Sequence, residues 1–310
     1  MEARKGADIA SVIETEYVAT VDARLTSQEA YIEYQMHEAR RALPFLSRFL
    51  PHEDARVLEV GAGLGGKGIA YACSGIRMTS LDIDPAAVEC AARAARQHHA
   101  PLSVLTADGT ALPFPTEWFD AVLLDSVVEH VHDPAALLQE CTRVLKRGGI
   151  VFVVFPPYYG PLSGHIDDFV LIPWFHLLPR RIVERKLLSK EETRGMLTPE
   201  GALKVYASLN RITVHRFKNL ARRAGLHIEY MRVRPFITHP GTRLVIGLAA
   251  AIRQRPHREQ LRATLGRAMR EFDWRTGTLF VLLAALGPLA FVPYIQDIAA
   301  GGCKAVLRKA

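Results

Sequence analysis

From residue 56 onward the chain alternates short apolar runs with stretches whose apolar residues recur at helical spacing. Residues 56–60, 77–81, 102–106, 120–124 and 150–155 read as strands, and the last is an unbroken apolar run of the kind buried on both faces of a sheet. Between them lie helices with legible starts. Asp84 and Asp133 each precede a proline, the pairing of an N-cap with a first-turn Pro. Leu137, Leu138, Cys141 and Leu145 give the second of these helices one apolar face, and Gly148-Gly149 is expected to end it. Strands alternating with helices predict a parallel, doubly wound α/β sheet.

The same patterning divides the 310 residues. Residues 1–50 read as a helical lid segment with a stripe at Tyr31, Tyr34, Met36, Ala39, Leu43 and Leu46, stopped by Pro51. Residues 51–155 form the α/β core. Pro156-Pro157 breaks the rhythm, and 156–212 is a substrate-side insertion in which Thr198-Pro199-Glu200 opens a helix. The sheet resumes with a helix over 213–224, Gly225 as its cap and a sixth strand at 226–233; residues 303–308 read as a seventh. The stretches 213–233 and 302–310 are thus the remainder of the sheet, and 234–301 is a second, apolar and Arg-rich insertion.

Net charge is +7, and the excess is local: 180–194 carries six Lys/Arg against three Glu, and 253–275 seven Arg against three acids. Such stretches meet anionic partners or are simply solvated helix faces. The apolar runs 244–252 and 279–286 flank the second basic stretch, and 276–296 is uncharged but interrupted by Gly287, Pro288 and Pro293. A span needs ~20 apolar residues, so core helices or attachment to a membrane surface through 244–296 are expected before a spanning hairpin. The four cysteines have no C-x-x-C spacing, no metal site is expected, and the N-terminus has no apolar signal region. The expected location is cytoplasmic, at or near the inner face of the membrane.

The candidate chemistry starts in Glu59-Val60-Gly61-Ala62-Gly63-Leu64-Gly65-Gly66. Glycines at a strand-to-helix turn admit a ligand close to the backbone and aim helix N-terminal amides at it. Gly61, Gly63 and Gly66 also fit G-x-G-x-x-G, with Asp82 nineteen residues after Gly63, which is the dinucleotide fingerprint as well. Glu59 separates the two: a carboxylate within ~4 Å of a diphosphate costs on the order of 4 kcal/mol at an effective dielectric of ~20, whereas a cationic ligand is attracted. Asp82, at the end of the second strand, can accept both hydroxyls of a ribose, and Ile83 can pack on a base. Asp84 is assigned to its helix cap. Asp108 and Gly109 follow the third strand and can meet an adenine edge, although Asp108 equally fits an Asx-turn.

Taken in order, Glu59-x-Gly-x-Gly-x-Gly65, Leu81-Asp-Ile-Asp84, Ala107-Asp-Gly-Thr-Ala-Leu-Pro-Phe114, Trp118-Phe-Asp120, Glu129-His-Val131 and Leu145-Lys-Arg-Gly-Gly149 resemble the class I S-adenosylmethionine-dependent methyltransferases, and within them the type 11 methyltransferase domain. The resemblance covers about residues 56–155. It implies a seven-strand, mostly parallel sheet in the order 3-2-1-4-5-7-6 with strand 7 antiparallel, and S-adenosyl-L-methionine as cofactor. It implies donor contacts at Glu59, Gly61, Ala62, Gly63, Gly65, Asp82, Ile83, Asp108, Gly109 and Asp125. The two long insertions depart from the family, so its acceptors do not carry over.

For catalysis, His165, His130 and Tyr158 are the candidates. His130 follows the fourth strand at the carboxyl edge of the sheet, where ligands bind in such folds; its place in a motif shared across specificities leaves a structural role open. His165, with Tyr158 and Tyr159, follows the fifth strand and is expected over the methyl group. The acceptor is expected to be small or lipid-linked and methylated at oxygen. Nucleic acid is not expected, since Phe155-Pro-Pro-Tyr158 lacks the polar first residue of the amino-methylating motif. Two alternatives stay open: a nicotinamide-dependent oxidoreductase of similar topology, and a non-catalytic partner subunit.

Overall fold

The computed structural model describes residues 27–52, 54–161, 163–166, 169–170, 174–190, 198–235, 289, 292–293 and 295–310. Seven strands form one sheet: β1 (Arg56–Val60), β2 (Arg77–Asp82), β3 (Ser103–Thr106), β4 (Phe119–Asp125), β5 (Leu145–Phe155), β6 (Leu226–Pro235) and β7 (Ala300–Lys309). Their order is β3-β2-β1-β4-β5-β7-β6. β1 to β5 pair in parallel, and β7 runs antiparallel to both β5 and β6. Chain reversal between β3 and β1 leaves β1 and β4 adjacent at the middle of the sheet, so the loops after them meet at its carboxyl edge.

Helices cover both faces: α1 (Gln28–Leu46), α2 (Gly66–Cys73), α3 (Pro85–Gln97), α4 (Pro134–Val144), α5 (Arg180–Leu188), α6 (Pro199–Ser208) and α7 (Val214–Arg223). The two-residue period of the strands sorts the core. Leu58, Val60, Val122, Leu124, Val151 and Val153 face Leu137, Leu138 and Cys141 of α4 and Phe217 and Ala221 of α7. Val57, Ala121, Leu123, Ile150 and Phe152 face α1, α2 and α3. At least the Gln28–Leu46 part of the expected lid segment is therefore a layer of the core, with Ile32, Met36, Ala39 and Leu46 buried.

Caps fix the helix starts where the sequence signals them. Asp84 accepts from the Ala86 amide at 3.0 Å, Asp133 from Ala135 and Ala136, and Thr198 and Thr213 cap α6 and α7. One expectation is overturned. Gly148-Gly149 does not terminate α4: the helix ends at Val144, and both glycines lie inside β5. Gly148 takes φ 72°, and a Cβ on Gly149 would stand 3.0 Å from the Asp120 carbonyl oxygen. Glycine here serves an irregular strand start, marked by the register shift between Phe119 and Ala121. β6 and β7 also run slightly beyond the expected 226–233 and 303–308.

The insertion after β5 has its own small core of Ile166, Phe169, Val170, Phe175, Val183, Leu187 and Ala202. The runs 244–252, 253–275 and 279–286 lie outside the described residues. Among the described residues no helix is long and apolar enough to cross a membrane.

Candidate active site

The turn after β1 is built from left-handed backbone. Gly61, Gly63 and Gly65 have φ of 75°, 52° and 83°, a region that an L side chain enters only at a cost. Space forbids a side chain as well: a Cβ on Gly61 would lie 2.4 Å from Val127 Cγ2, and one on Gly65 2.7 Å from Ala91 Cβ. The loop is thereby pressed between the β4 loop and α3.

Five amides of this turn are already spent on the chain. Those of Gly61 and Ala62 both donate to the Leu81 carbonyl, at 2.8 and 2.9 Å. The Gly63 amide donates to Asp82 Oδ2 at 2.8 Å, the Gly65 amide to the Ala62 carbonyl at 2.9 Å, and the Gly66 amide to Gln35 Oε1 at 3.3 Å. These five do not point outward to a ligand, which leaves fewer donors for an anion than the glycine pattern leads one to expect.

Glu59, Asp82 and Asp125 sit on three neighbouring strands, in different settings. Asp82 is fixed by its bond from Gly63 and a second from the Asp84 amide at 3.0 Å. Next to it Ile83 is 68% exposed, a large apolar side chain held at the carboxyl edge with its surface open. Glu59 lies beneath the turn, buried, and accepts from Ser80 Oγ at 2.6 Å. Gly68 makes that possible, since a Cβ there would stand 2.6 Å from Glu59 Oε2. Burial pushes the Glu59 carboxyl up to about 7, against the pull of Ser80 and Lys67. Near neutral pH the Glu59 charge is therefore only partial, which weakens the attraction for a cation expected of it.

Lys67 is the residue that sequence reasoning missed. It stands in the first turn of α2, where a cation opposes the helix dipole, and that misfit was the available signal. Its Nζ lies 2.7 Å from Asp125 Oδ2. Burial would lower the ammonium, but Asp125 outweighs it and holds the group above its ordinary value. Asp125 is thus an ion-paired acid rather than an open one.

Two further expected contacts are qualified. Asp108 Oδ1 accepts from both the amide and the hydroxyl of Thr110 at 2.8 Å, the Asx-turn geometry. A Cβ on Gly109 would lie 2.8 Å from Val60 Cγ1, so packing on the core explains the glycine without a ligand.

Beyond the β4 tip the structure brings His130 and His165 together, their rings 4.9 Å apart. Between them is Glu129, 2% exposed, with Oε1 3.7 Å from His165 Nε2 and 4.0 Å from His130 Nε2. Asn210 pins this turn: its Nδ2 donates to the Val128 and Val131 carbonyls, and its amide to the Glu129 carbonyl. Burial and the neighbouring His165 bring His130 down to about 4, so its imidazole is neutral at pH 7. Burial raises the Glu129 carboxyl, the nearby His165 pulls it back down, and Asp125 adds a smaller upward push through space, so the two halves of the site adjoin. Tyr158 is buried instead of facing this pair, edge-on to Tyr159 and His176. Its carbonyl bonds His176 Nε2 at 2.7 Å. That makes it a wall of the insertion, with Tyr159 the more exposed ring.

A hollow of about 350 Å³ opens at the opposite edge of the sheet, between Arg56, Arg77, Ser103 and Trp118. It lies at strand starts, away from the converging loops, and none of the acids or histidines above reach it.

Residues 58–153 match the model of a methyltransferase domain. Over the β1–β5 core the chain is similar to methyltransferase domains. A relative from Mycolicibacterium gilvum, named an uncharacterized methyltransferase, is 37% identical over 109 residues, 35% of this chain and 42% of the relative. One from Mycobacterium leprae is 35% identical over 109 residues, again 35% of this chain and 40% of its own length. The chain thus matches under half the length of these relatives. A provisionally named sarcosine dimethylglycine methyltransferase of Galdieria sulphuraria has a similar fold, with a TM-score of 0.50 at 15% identity over 89% of this chain and 86% of that one. Outside the methyltransferase core lie α1, the insertion after β5 and the β6–β7 half of the sheet, which hold His165, Tyr158, Ser208 and Asn210.

Proposed function

We propose that this chain transfers a methyl group from S-adenosylmethionine to the oxygen of a small or lipid-linked acceptor. One observation carries the reading: the glycine turn spends five of its amides internally and lies beside Asp82, Asp125 and the partly charged Glu59. Such a seat repels a diphosphate and suits a cationic nucleoside. Asp82 would hold the ribose and Ile83 the base, while Glu59 and Asp125, tempered by Lys67, would face the positive end.

The bound cofactor supplies a methyl carbon on a sulfonium leaving group. The chain's part is to orient the acceptor and to take its proton. A neutral hydroxyl must lose a proton as its oxygen bonds to the methyl carbon and the carbon–sulfur bond breaks. His165, beside Glu129, is the group placed to receive it, with Tyr159 and Tyr158 shaping the wall. Most of the acceleration would come from positioning. A lipid-linked acceptor is supported by the exposed Leu177, Leu178, Ile182 and Leu188 next to the basic side chains of α5.

Equilibrium binding of S-adenosylhomocysteine and of NAD⁺ tests the reading. Saturable binding of the former, undisturbed by a large excess of NAD⁺, is expected. Displacement by NAD⁺, or no binding of the homocysteine compound, would sink it.

A further inference from the structure

The donor side of the site is saturated with partners, and the cluster beyond β4 is not. Both Glu129 carboxylate oxygens and His165 Nε2 are buried with no hydrogen-bond partner. A buried unpartnered carboxylate costs several kcal/mol, so three such atoms converging on one point call for something that satisfies them together. Glu129, His130 and His165 each offer a ligand atom, and these lie within 4.8 Å of one another. We infer that Glu129, His130 and His165 form a binding site for a divalent transition-metal ion of the zinc type, open to a further oxygen ligand.

The donor set fits such an ion and not a hard one. Two imidazoles and one carboxylate suit zinc, cobalt or iron(II), whereas calcium and magnesium seek oxygen cages. A point equidistant from three atoms with the separations 3.7, 4.0 and at most 4.8 Å is no more than about 2.5 Å from each. Zinc bonds to nitrogen and oxygen run ~2.0–2.2 Å, so closure needs a shift of a few tenths of an ångström.

The surroundings prepare the ligands. Ser208 Oγ donates its hydrogen to the Val205 carbonyl at 2.8 Å, so it accepts from His130 Nδ1 at 2.8 Å. That fixes the neutral tautomer with its lone pair on Nε2, toward Glu129, as an outer partner does for a metal-bound histidine. His165 is held with φ 54°, a left-handed conformation that a non-glycine residue adopts only under constraint. Its loop is locked, because Gly164 packs so tightly on His176 that a Cβ would lie 2.3 Å from that residue's Cβ. Asn210 holds the other arm.

Three protein ligands leave a position for solvent or for the acceptor's oxygen. This deepens the proposed transfer to oxygen: with the ion bound, His165 serves as a ligand in place of proton acceptor, and the coordinated hydroxyl sheds its proton more readily, to solvent. It also rests on that reading for its purpose, although not for its existence.

The test uses the full untagged chain, freed of metal with a chelator and titrated with Co²⁺ and Zn²⁺. One equivalent is expected to bind with a visible Co²⁺ spectrum, displaced by Zn²⁺. E129Q and H165A should each weaken binding at least tenfold, and S208A up to about tenfold. H52A, which alters a surface histidine at the opposite sheet edge, should change nothing. Zinc-edge X-ray absorption on the wild-type complex needs no variant, and it should count two imidazoles. No saturable binding, a different imidazole count, or binding that survives both E129Q and H165A would overturn the site. S-adenosylhomocysteine affinity, read in the same samples, separates the cases: its retention alongside absent metal binding sinks only the metal site.

Discussion

At the tips of β1, β2 and β4, these acids each have a partner on the chain: Ser80 for Glu59, the Gly63 and Asp84 amides for Asp82, Lys67 for Asp125. Four residues past the end of β4, Glu129 has none by hydrogen bond, and the histidine facing it is held in strained backbone. The first region is complete without a ligand; the second is a set of polar atoms whose partners come from outside. The contrast teaches where each half's free energy goes. Preorganised, satisfied groups shape a site that accepts one ligand with little rearrangement. Unsatisfied buried groups lower stability and return it when the missing ligand binds.

That contrast can be broken by four measurements. The largest effect is expected from His165→Ala, about a hundredfold slower methyl transfer from labelled donor into lipid or polar extracts, with donor affinity retained. Equal turnover would remove His165 from the chemistry. Asp82→Ala should weaken S-adenosylhomocysteine at least tenfold, by calorimetric titration, and cost about 1 kcal/mol of stability through its two amide bonds. Affinity near that of the wild type would refute its place against the ribose.

Glu129→Gln is expected to act in the opposite sense on stability. In the presence of chelator it removes an unpartnered buried charge, and urea unfolding should show a gain of about 1 kcal/mol. A loss instead would mean that the carboxylate already has a compensating partner, and the contrast would fail.

The smallest effect is a pH dependence. The folded Glu59 carboxyl sits at about 7, above its ordinary 4.5. This group's contribution to folding is therefore complete below about 4.5 and lost as pH rises through about 7. Binding of the donor's amino-acid end runs the other way, because the ionised form attracts its ammonium group, which S-adenosylhomocysteine shares. Affinity for S-adenosylhomocysteine should rise severalfold from pH 6 to pH 8, and the slope should vanish in Glu59→Gln. A slope that persists in the variant assigns it to another group.

Much of the fold was legible because its signals are local. Asp84-Pro85 and Asp133-Pro134 mark helix starts within a few residues, and the run 150–155 needs only its own composition to read as a buried strand. The order of the strands came from a resemblance, not from patterning. Gly148-Gly149 misled because a glycine pair after an amphipathic stretch fits a helix cap and an irregular strand start equally well; only the contact with Asp120 across the sheet decides.

The site was less legible, for the same physical reason. Glu59, Asp82 and His165 could be named from motif position, but their states depend on groups distant in the chain. Burial under α2 changes the charge of Glu59. Lys67 meets Asp125 only once β4 lies beside β1. No spacing rule links Glu129 to His165, which the insertion folds back over the β4 tip.

One feature of the sheet reaches into how the protein is made. β7 lies between β5 and β6, and its residues Ala300–Lys309 emerge from the ribosome after both neighbours. Until they arrive, the inner rims of β5 and β6 stand open with unpaired backbone groups, while the rest of the parallel sheet can already assemble. Closure is then a late, long-range zippering step, slow by its topology and exposed to mispairing between nascent chains. A stalled or prematurely terminated transcript of this gene should yield insoluble product even though the whole methyl-donor half has been translated.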